Sequence, residues 1–408
     1  MLDIKFVRDN PELVHDSIKK RGSKLKLDDL LKTDSERLEL LTRTEGLRSQ
    51  LKVDGKPSDE ELIKLREVRS QYEIESKKLE TLQERFDELM MGLPNILADD
   101  TPIGGEEANR IERTEGEPTE FDFEPRDHMQ LSEIHDLVNF EAGAKVSGNK
   151  FYFLRPKAVK LWQAVLRLAQ DIAEQAGHQT MLVPQLVNEK VAVGTGYLPK
   201  GEEADNYRDK EQGLVMIATS ELPLTAYHMD EIIDLGEPIR YGGLSTCYRL
   251  EGSAYGKFAK GLYRVHQFDK LEMYSFTNAE QSDDELQRIL ATEEKIVQAL
   301  EIPYHISRTA SGDMSAPAYQ KYDIEYYSPT DKIYRELTSC SNCTDFQARR
   351  LNVRYRDKEG KLHMVHTLNG TAVTSTRTLI AIIENHQTED GSVRIPHALQ
   401  KYYGKETL

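Results

Sequence analysis

Cysteine is scarce, with three in 408 residues. An odd and small number argues against a disulfide framework and fits a reducing compartment. No apolar run approaches the roughly 18 residues of a membrane span, and MLDIKFVRDN has no basic stretch leading into an apolar one, so neither insertion nor secretion is expected. Positive charge is also in short supply. The 54 Lys and Arg against 70 Asp and Glu leave a net charge of -16. That excludes a protein coated in nucleic acid but permits a local basic patch. Even the first hundred residues hold 19 Lys and Arg against 23 Asp and Glu, and the cluster Lys19-Lys20-Arg21, Lys24, Lys26 is read as a solvated helix end. No GxxxxGK[ST] occurs. The nearest stretch, Gly252 to Phe258, has the wrong spacing, lacks a hydroxyl for magnesium and joins two strands, which argues against a P-loop nucleotidase. The CxxC of Cys340 and Cys343 stands alone, without the second ligand pair of a structural zinc site.

What is present suggests two domains, since 408 residues exceed the usual single-domain size. Asp9 and Asn10 can cap a helix with Pro11 at its first position, ending near Gly22. Residues 27–52 and 59–93 are rich in Leu, Glu, Lys, Arg and Gln. In the second segment Leu65, Val68, Tyr72, Glu75, Leu79, Leu82, Phe86, Leu89 and Leu93 alternate by three and four, a coiled-coil seam with one polar break at Glu75. The first segment repeats more weakly through Leu30, Leu40, Leu47 and Leu51. The join at 53–59 is too short for anything but an antiparallel return. Twenty-six helical residues reach about 39 Å, so a freestanding arm is expected; periodicity alone would favour an oligomerisation coiled coil. A linker follows. Beyond it, residues 161–178 form a helix with Val165, Leu166, Leu168, Ile172 and Ala173 on its apolar face, and residues 180–184 a strand. Residues 193–200 read as a mobile glycine-rich loop.

Residues 245–276, STCYRLEGSAYGKFAKGLYRVHQFDKLEMYSF, read as two strands joined by a loop. Alternation puts Arg249 and Glu251 on one face of the first strand, and Arg264, Phe268 and Glu272 on one face of the second. The roughly 13 Å from Phe268 to Glu272 spans a nucleotide at one end and a small cation at the other. A solvated charged face is the plain alternative. Residues 322–327 and 333–339 form a second pair, with Tyr334, Glu336 and Thr338 sharing a face. A carboxylate beside hydroxyls suits Mg²⁺ with phosphate oxygens, or simply a surface salt bridge. Arg377 falls in the first turn of a helix packed by Leu379, Ile380 and Ile383, where an anion is favoured. Thr219 and Glu221 lie at a strand-to-helix turn, where either can be an N-cap.

Tyr248-Arg249-Leu250-Glu251 followed by Gly261-Leu262-Tyr263-Arg264-Val265-His266-Gln267-Phe268-Asp269-Lys270-Leu271-Glu272 resembles motif 2 of the class II aminoacyl-tRNA synthetases, in its seryl-tRNA synthetase form. The likeness extends over nearly the whole chain. The helical arm ending LMMGLPNILADDTPIGG, the long helix and strand before Pro184 (motif 1), the segment 339–350 and Arg377 (motif 3) all resemble that family. The resemblance implies an α+β fold, an antiparallel β-sheet flanked by helices. It also implies an N-terminal antiparallel α-helical coiled-coil arm (residues 1–100, coiled coil about 27–93), a linker at 101–126 and a class II catalytic domain at 127–408. It implies a cytoplasmic homodimer that activates L-serine with ATP and Mg²⁺ to seryl-adenylate and charges tRNA(Ser), and by extension tRNA(Sec). In that family the arm grips the long variable arm of the tRNA. Carried over by position, the resemblance implies catalytic roles for Arg249, Glu336 and Arg377, and serine contacts at Thr219, Ser220, Glu221, Glu272, Asn369 and Thr371. It implies ATP contacts at Arg249, Leu250, Glu251, Val265, Phe268, Glu336, Leu337, Thr338, Ser339 and Arg377, with Glu336 and Ser339 for Mg²⁺. Two alternatives stay open. One is a paralogue that charges another acceptor, because Lys257-Phe258-Ala259-Lys260 departs from the family's more arginine- and aspartate-bearing loop. The other is a non-catalytic RNA-binding paralogue.

Overall fold

The computed structural model describes residues 1–52, 55, 57–197, 206–251 and 261–408. They form two compact units, Met1–Ile96 and Leu97–Leu408.

In the first unit the helix Pro11–Lys20 opens on its proline as expected, but a shorter helix, Ile4–Asp9, precedes it. Asn10 stands at the N-cap of the second helix but makes no side-chain cap bond there. Its side-chain amide donates to the Phe6 carbonyl at 3.0 Å and closes the first. Leu27–Gln50 and Asp59–Gly92 make the arm. Arg43 opposite Glu75 at 3.5 Å and Arg37 opposite Gln83 at 3.3 Å set them antiparallel. All nine seam positions from Leu65 to Leu93 are half-buried or buried. Arg43 also accounts for the polar break, because it supplies Glu75 with a cation. Ser58 and Glu61 form a reciprocal capping box that starts the second helix. Val53, Asp54 and Lys56 of the join lie outside the described residues. On the weaker helix, buried Asp34 takes the place of an apolar seam residue and is held by Arg8 at 2.6 Å and Arg37 at 2.9 Å. Burial would raise its carboxyl, but these two guanidinium groups override that and hold it low. The basic cluster is partly structural. Arg21 donates to the Asn95 carbonyl at 2.9 Å, and Lys20 pairs with Asp16 at 2.7 Å.

The second unit is built on an eight-stranded sheet. Its strands run in the order Arg110–Glu115, Tyr304–Arg308, Gln320–Ser328, Ile333–Asn342, His366–Thr374, Gln267–Thr277, Ile239–Tyr248, Gln179–Leu182. Every neighbour pair is antiparallel except the last. The Arg110–Glu115 strand lies inside the stretch expected as a linker. Its six residues are all exposed, so it carries none of the apolar alternation by which strands are read. The expected helix at 161–178 is Pro156–Gln175; it opens on proline, and left-handed Gly177 follows its end. That helix, Ser282–Ala299 and Arg377–Asn385 bury one face of the sheet in a single apolar core that includes Trp162, Leu168, Ile289, Ile296, Ile380 and Ile383. Each fully buried aliphatic side chain there is worth about 1.5–3 kcal/mol. The opposite face carries a second apolar cluster that includes Tyr241, Tyr274 and Phe276, and beyond it along the strands a set of polar groups. The glycine-rich stretch at 193–200 is helical through Thr195, in Glu189–Thr195, and left-handed Gly196 ends it; its residues 198–200 lie outside the described residues.

Two β-bulges adjust which residues reach the polar face. Ile324 pairs with Thr338 while Glu325 pairs with Glu336, so Leu337 is the extra residue. Likewise Leu271 pairs with Val373 and Glu272 with Thr371, which leaves Ala372 over. A bulge turns two successive residues to the same side. Leu337, Ala372 and Val373 accordingly sit in the core. Thr338 does not share a face with Glu336 as simple alternation expects. Its hydroxyl donates to Glu293 on the Ser282–Ala299 helix at 2.9 Å, and Ser339 takes the place beside Glu336.

Candidate active site

The polar face of the sheet opens into a cleft of about 130 Å³. Thirteen of the expected residues line it: Arg249, Glu336, Arg377, Glu221, Glu272, Asn369, Thr371, Glu251, Val265, Phe268, Leu337, Thr338 and Ser339. Three do not. Ser220 is buried, and its hydroxyl is 2.7 Å from that of Ser245, which docks the Glu221–Ala226 turn onto the neighbouring strand. Thr219 is buried, and its hydroxyl accepts the Glu221 N–H at 3.2 Å, a local turn bond just ahead of the helix. Leu250 is half-buried beside the cleft.

At one end two carboxylates are sealed from water, Glu221 at 5% and Glu272 at 2% exposure. Glu221 accepts from Tyr197 Oη at 2.7 Å, Gln347 Nε2 at 2.7 Å and Asn369 Nδ2 at 3.2 Å. Burial raises its carboxyl, and these bonds only partly offset it. Burial pushes Glu272 up to about 7, against the opposing pull of Lys270 and with a further rise from Glu221. Lys270, two residues earlier on the same strand face, is itself buried and ion-paired to Glu272. The pair of carboxylates thus holds one cation and has capacity for another.

At the other end Arg377 Nη1 lies 2.9 Å from Glu336 Oε2 and 3.2 Å from its carbonyl. The Arg377 and Lys321 cations hold the Glu336 carboxyl well below the usual carboxylate range. Its side chain is 43% exposed, so the charge faces solvent and remains available to a ligand. Arg249 lies 5.2 Å over the Phe268 ring and donates to the Ala218 carbonyl at 3.4 Å. Arg264 pairs with Glu251 at 3.1 Å, but the strands end at Tyr248 and begin again at Gln267, so Arg249, Glu251 and Arg264 lie beyond the strands that alternation would carry them on, Glu251 being left-handed at φ 48°. Residues 252–260, including Lys257 to Lys260, lie outside the described residues. Among the described residues no three His, Cys, Asp or Glu side chains gather as a metal cage. A hard cation at Glu336 and Ser339 would therefore complete its shell from phosphate oxygens and water, which is how Mg²⁺ is usually bound.

Sequence reasoning missed Lys270, Tyr197 and Gln347. Lys270 was detectable from its i−2 spacing to Glu272. Tyr197 and Gln347 meet Glu221 from 24 and 126 residues away, with no local signal.

Comparison with known proteins gives the family. Residues 1–97 match the seryl-tRNA synthetase N-terminal domain, and residues 202–386 the tRNA synthetase class II core domain (G, H, P, S and T). The serine–tRNA ligase of Rubrobacter xylanophilus is 40% identical, covering 100% of this chain and 99% of that one; the one from Rhodococcus opacus is 43% identical, covering 100% of both. The seryl-tRNA synthetase of Pyrococcus horikoshii complexed with ATP superposes with a TM-score of 0.92 at 36% identity, over 100% of this chain and 99% of that one. The cytoplasmic serine–tRNA ligase of Naegleria fowleri in complex with AMP gives 0.87 at 28% identity, over 100% and 98%. With full-length relatives at this identity and solved structures that superpose over the whole chain, the chain belongs to the seryl-tRNA synthetase family of class II aminoacyl-tRNA ligases.

Proposed function

We propose that the chain activates L-serine with ATP to seryl-adenylate and transfers the seryl group to tRNA(Ser), acting as a serine–tRNA ligase. One observation carries this reading: two buried carboxylates and an exposed arginine–carboxylate pair share one cleft, matching a small ammonium at one end and a polyphosphate at the other. The serine ammonium joins Glu221 and Glu272, while Asn369 and Thr371 frame its side chain. Arg249 follows the α-phosphate and leaves the face of Phe268 to the adenine. Arg377 lies along the nucleotide, and Glu336 and Ser339 would hold Mg²⁺, which supplies charge neutralisation at phosphate oxygens. The serine carboxylate attacks the α-phosphorus in line and pyrophosphate leaves. The terminal ribose hydroxyl of the tRNA then takes the seryl group and AMP departs. No side chain serves as nucleophile, because position and offset charge suffice for this chemistry.

The helical hairpin at 27–93 supports the reading that the arm holds tRNA, and on the same reading tRNA(Sec) is a further acceptor. Leu182, 82% exposed on the sheet's edge strand, supports a homodimer joined there. No described helix is long and apolar enough to cross a membrane, and we place the enzyme in the cytosol, where its substrates are. Charging of tRNA(Ser) by the purified chain, with serine and with alanine, tests the proposal; charging without preference for serine would overturn it.

A further inference from the structure

Outside the cleft, one buried polar network has no part in the chemistry described above. His128 and Glu384 are both nearly inaccessible, with side chains 4% and 1% exposed. Glu384 Oε1 accepts from the His128 N–H at 2.9 Å and lies 3.0 Å from its Nδ1. Its Oε2 accepts from the Ser328 and Thr330 hydroxyls at 3.3 and 3.2 Å. A carboxylate only accepts, so Nδ1 carries the imidazole proton and Nε2 keeps its lone pair. That lone pair receives the Leu262 N–H at 3.4 Å, and the ring stands edge-on to Tyr263, 5.0 Å between centroids.

The backbone is shaped to this ring. Gly261 is left-handed at φ +64°, and a Cβ there would lie 2.1 Å from His128 Nε2. Only glycine permits both the turn and the approach. Tyr263 separates two spaces. It lines the catalytic cleft on one side and, on the other, a pocket of about 260 Å³ shared with His128, Arg335 and Glu384. Its hydroxyl meets Tyr326 at 3.0 Å, and the Arg335 guanidinium covers its ring at 4.8 Å. Glu384 lies seven residues after Arg377 on the Arg377–Asn385 helix, two turns along the same side.

We propose that His128 and Glu384 are positioning residues for ATP. They fix Tyr263 as a wall of the cleft and tie that wall to the helix carrying Arg377. The assignment rests on the function proposed above. It is tested by His128→Gln, alone and combined with Tyr263→Ala, in serine-dependent exchange of pyrophosphate into ATP, with thermal unfolding followed in parallel. For His128→Gln the expected result is a KM for ATP about tenfold higher, a KM for serine within twofold of the parent, and an unfolding midpoint within about 3 °C. The double variant should be no worse than Tyr263→Ala alone, because both changes act through one wall. An unchanged KM for ATP, equal shifts for both substrates, or additive losses in the double variant would each overturn the assignment. Should His128→Gln unfold, Glu384→Gln carries the same expectations. Absence of exchange in the parent chain would instead remove the function on which the assignment rests.

Discussion

Glu272 carries the sharpest consequence of the site. It is 2% exposed, and burial lifts its carboxyl to about 7. If the serine ammonium pairs with it, Glu272→Gln keeps the shape and removes the charge. Breaking a buried charge pair by neutralising one partner costs about 3–5 kcal/mol. At 1.36 kcal/mol per tenfold, that is roughly two to nearly four orders of magnitude in kcat/KM for serine. The assay is pyrophosphate exchange over a wide serine range, with ATP affinity measured separately by titration calorimetry. The expected variant loses at least about a hundredfold for serine while its ATP affinity stays within about threefold, because Arg377 and Glu336 lie at the other end of the cleft. The pH dependence follows in sign. Below about 7 the Glu272 carboxyl is protonated and cannot pair with an ammonium, so the parent's kcat/KM for serine should fall as pH drops through that range. The variant should lack this limb. A Glu272→Gln enzyme within about fivefold of the parent for serine, or one that loses ATP in parallel, would refute the assignment.

Gly370→Ala would bring a Cβ to 2.3 Å from Ile289 Cγ2 and 3.2 Å from Cys340 Cβ. Overpacking of this kind costs about 1–3 kcal/mol, so the unfolding midpoint should drop by several degrees; an unchanged midpoint would contradict the close packing. Burial raises Glu293 well above the ordinary carboxyl value, despite the Thr338 hydroxyl bonded to it. Its stabilising contribution is present at low pH and is lost as pH rises through that elevated value. Glu293→Gln removes that titration, so from about pH 5 upward the parent's midpoint should fall relative to the variant's, with the difference already present at pH 7; parallel profiles, or collapse of the variant at pH 7, would show that the group is needed ionised. Deleting residues 27–93 should leave pyrophosphate exchange intact and abolish charging of a tRNA with a long variable arm. Equal charging by both forms would deny the arm its role.

Much of this architecture is written locally. The three-four alternation from Leu65 to Leu93 specifies the arm because a helix seam repeats over many residues, and Glu75 breaks it only where Arg43 can answer. Strand alternation likewise brought Arg249, Phe268, Glu272 and Glu336 to one cleft. Alternation failed at Thr338, where the single extra residue Leu337 turns the next hydroxyl to the core and delivers Ser339 instead. No pattern of period two can report a bulge. The charged strand Arg110–Glu115 was hidden for a related reason, since it takes only edge hydrogen bonds and buries nothing. Asp34 was unreadable as a seam residue because its partner Arg8 comes from another helix. Thr219 and Ser220, expected against serine from the resemblance alone, hold the turn that presents Glu221 through side-chain hydrogen bonds to the Glu221 N–H and Ser245.

The central claim is that this cleft joins serine to the α-phosphate of ATP. Incorporation of labelled pyrophosphate into ATP by the purified chain tests it most directly. Exchange that requires serine and is not supported by alanine or threonine is the expected result; no exchange with serine, or equal exchange with all three amino acids, would contradict it.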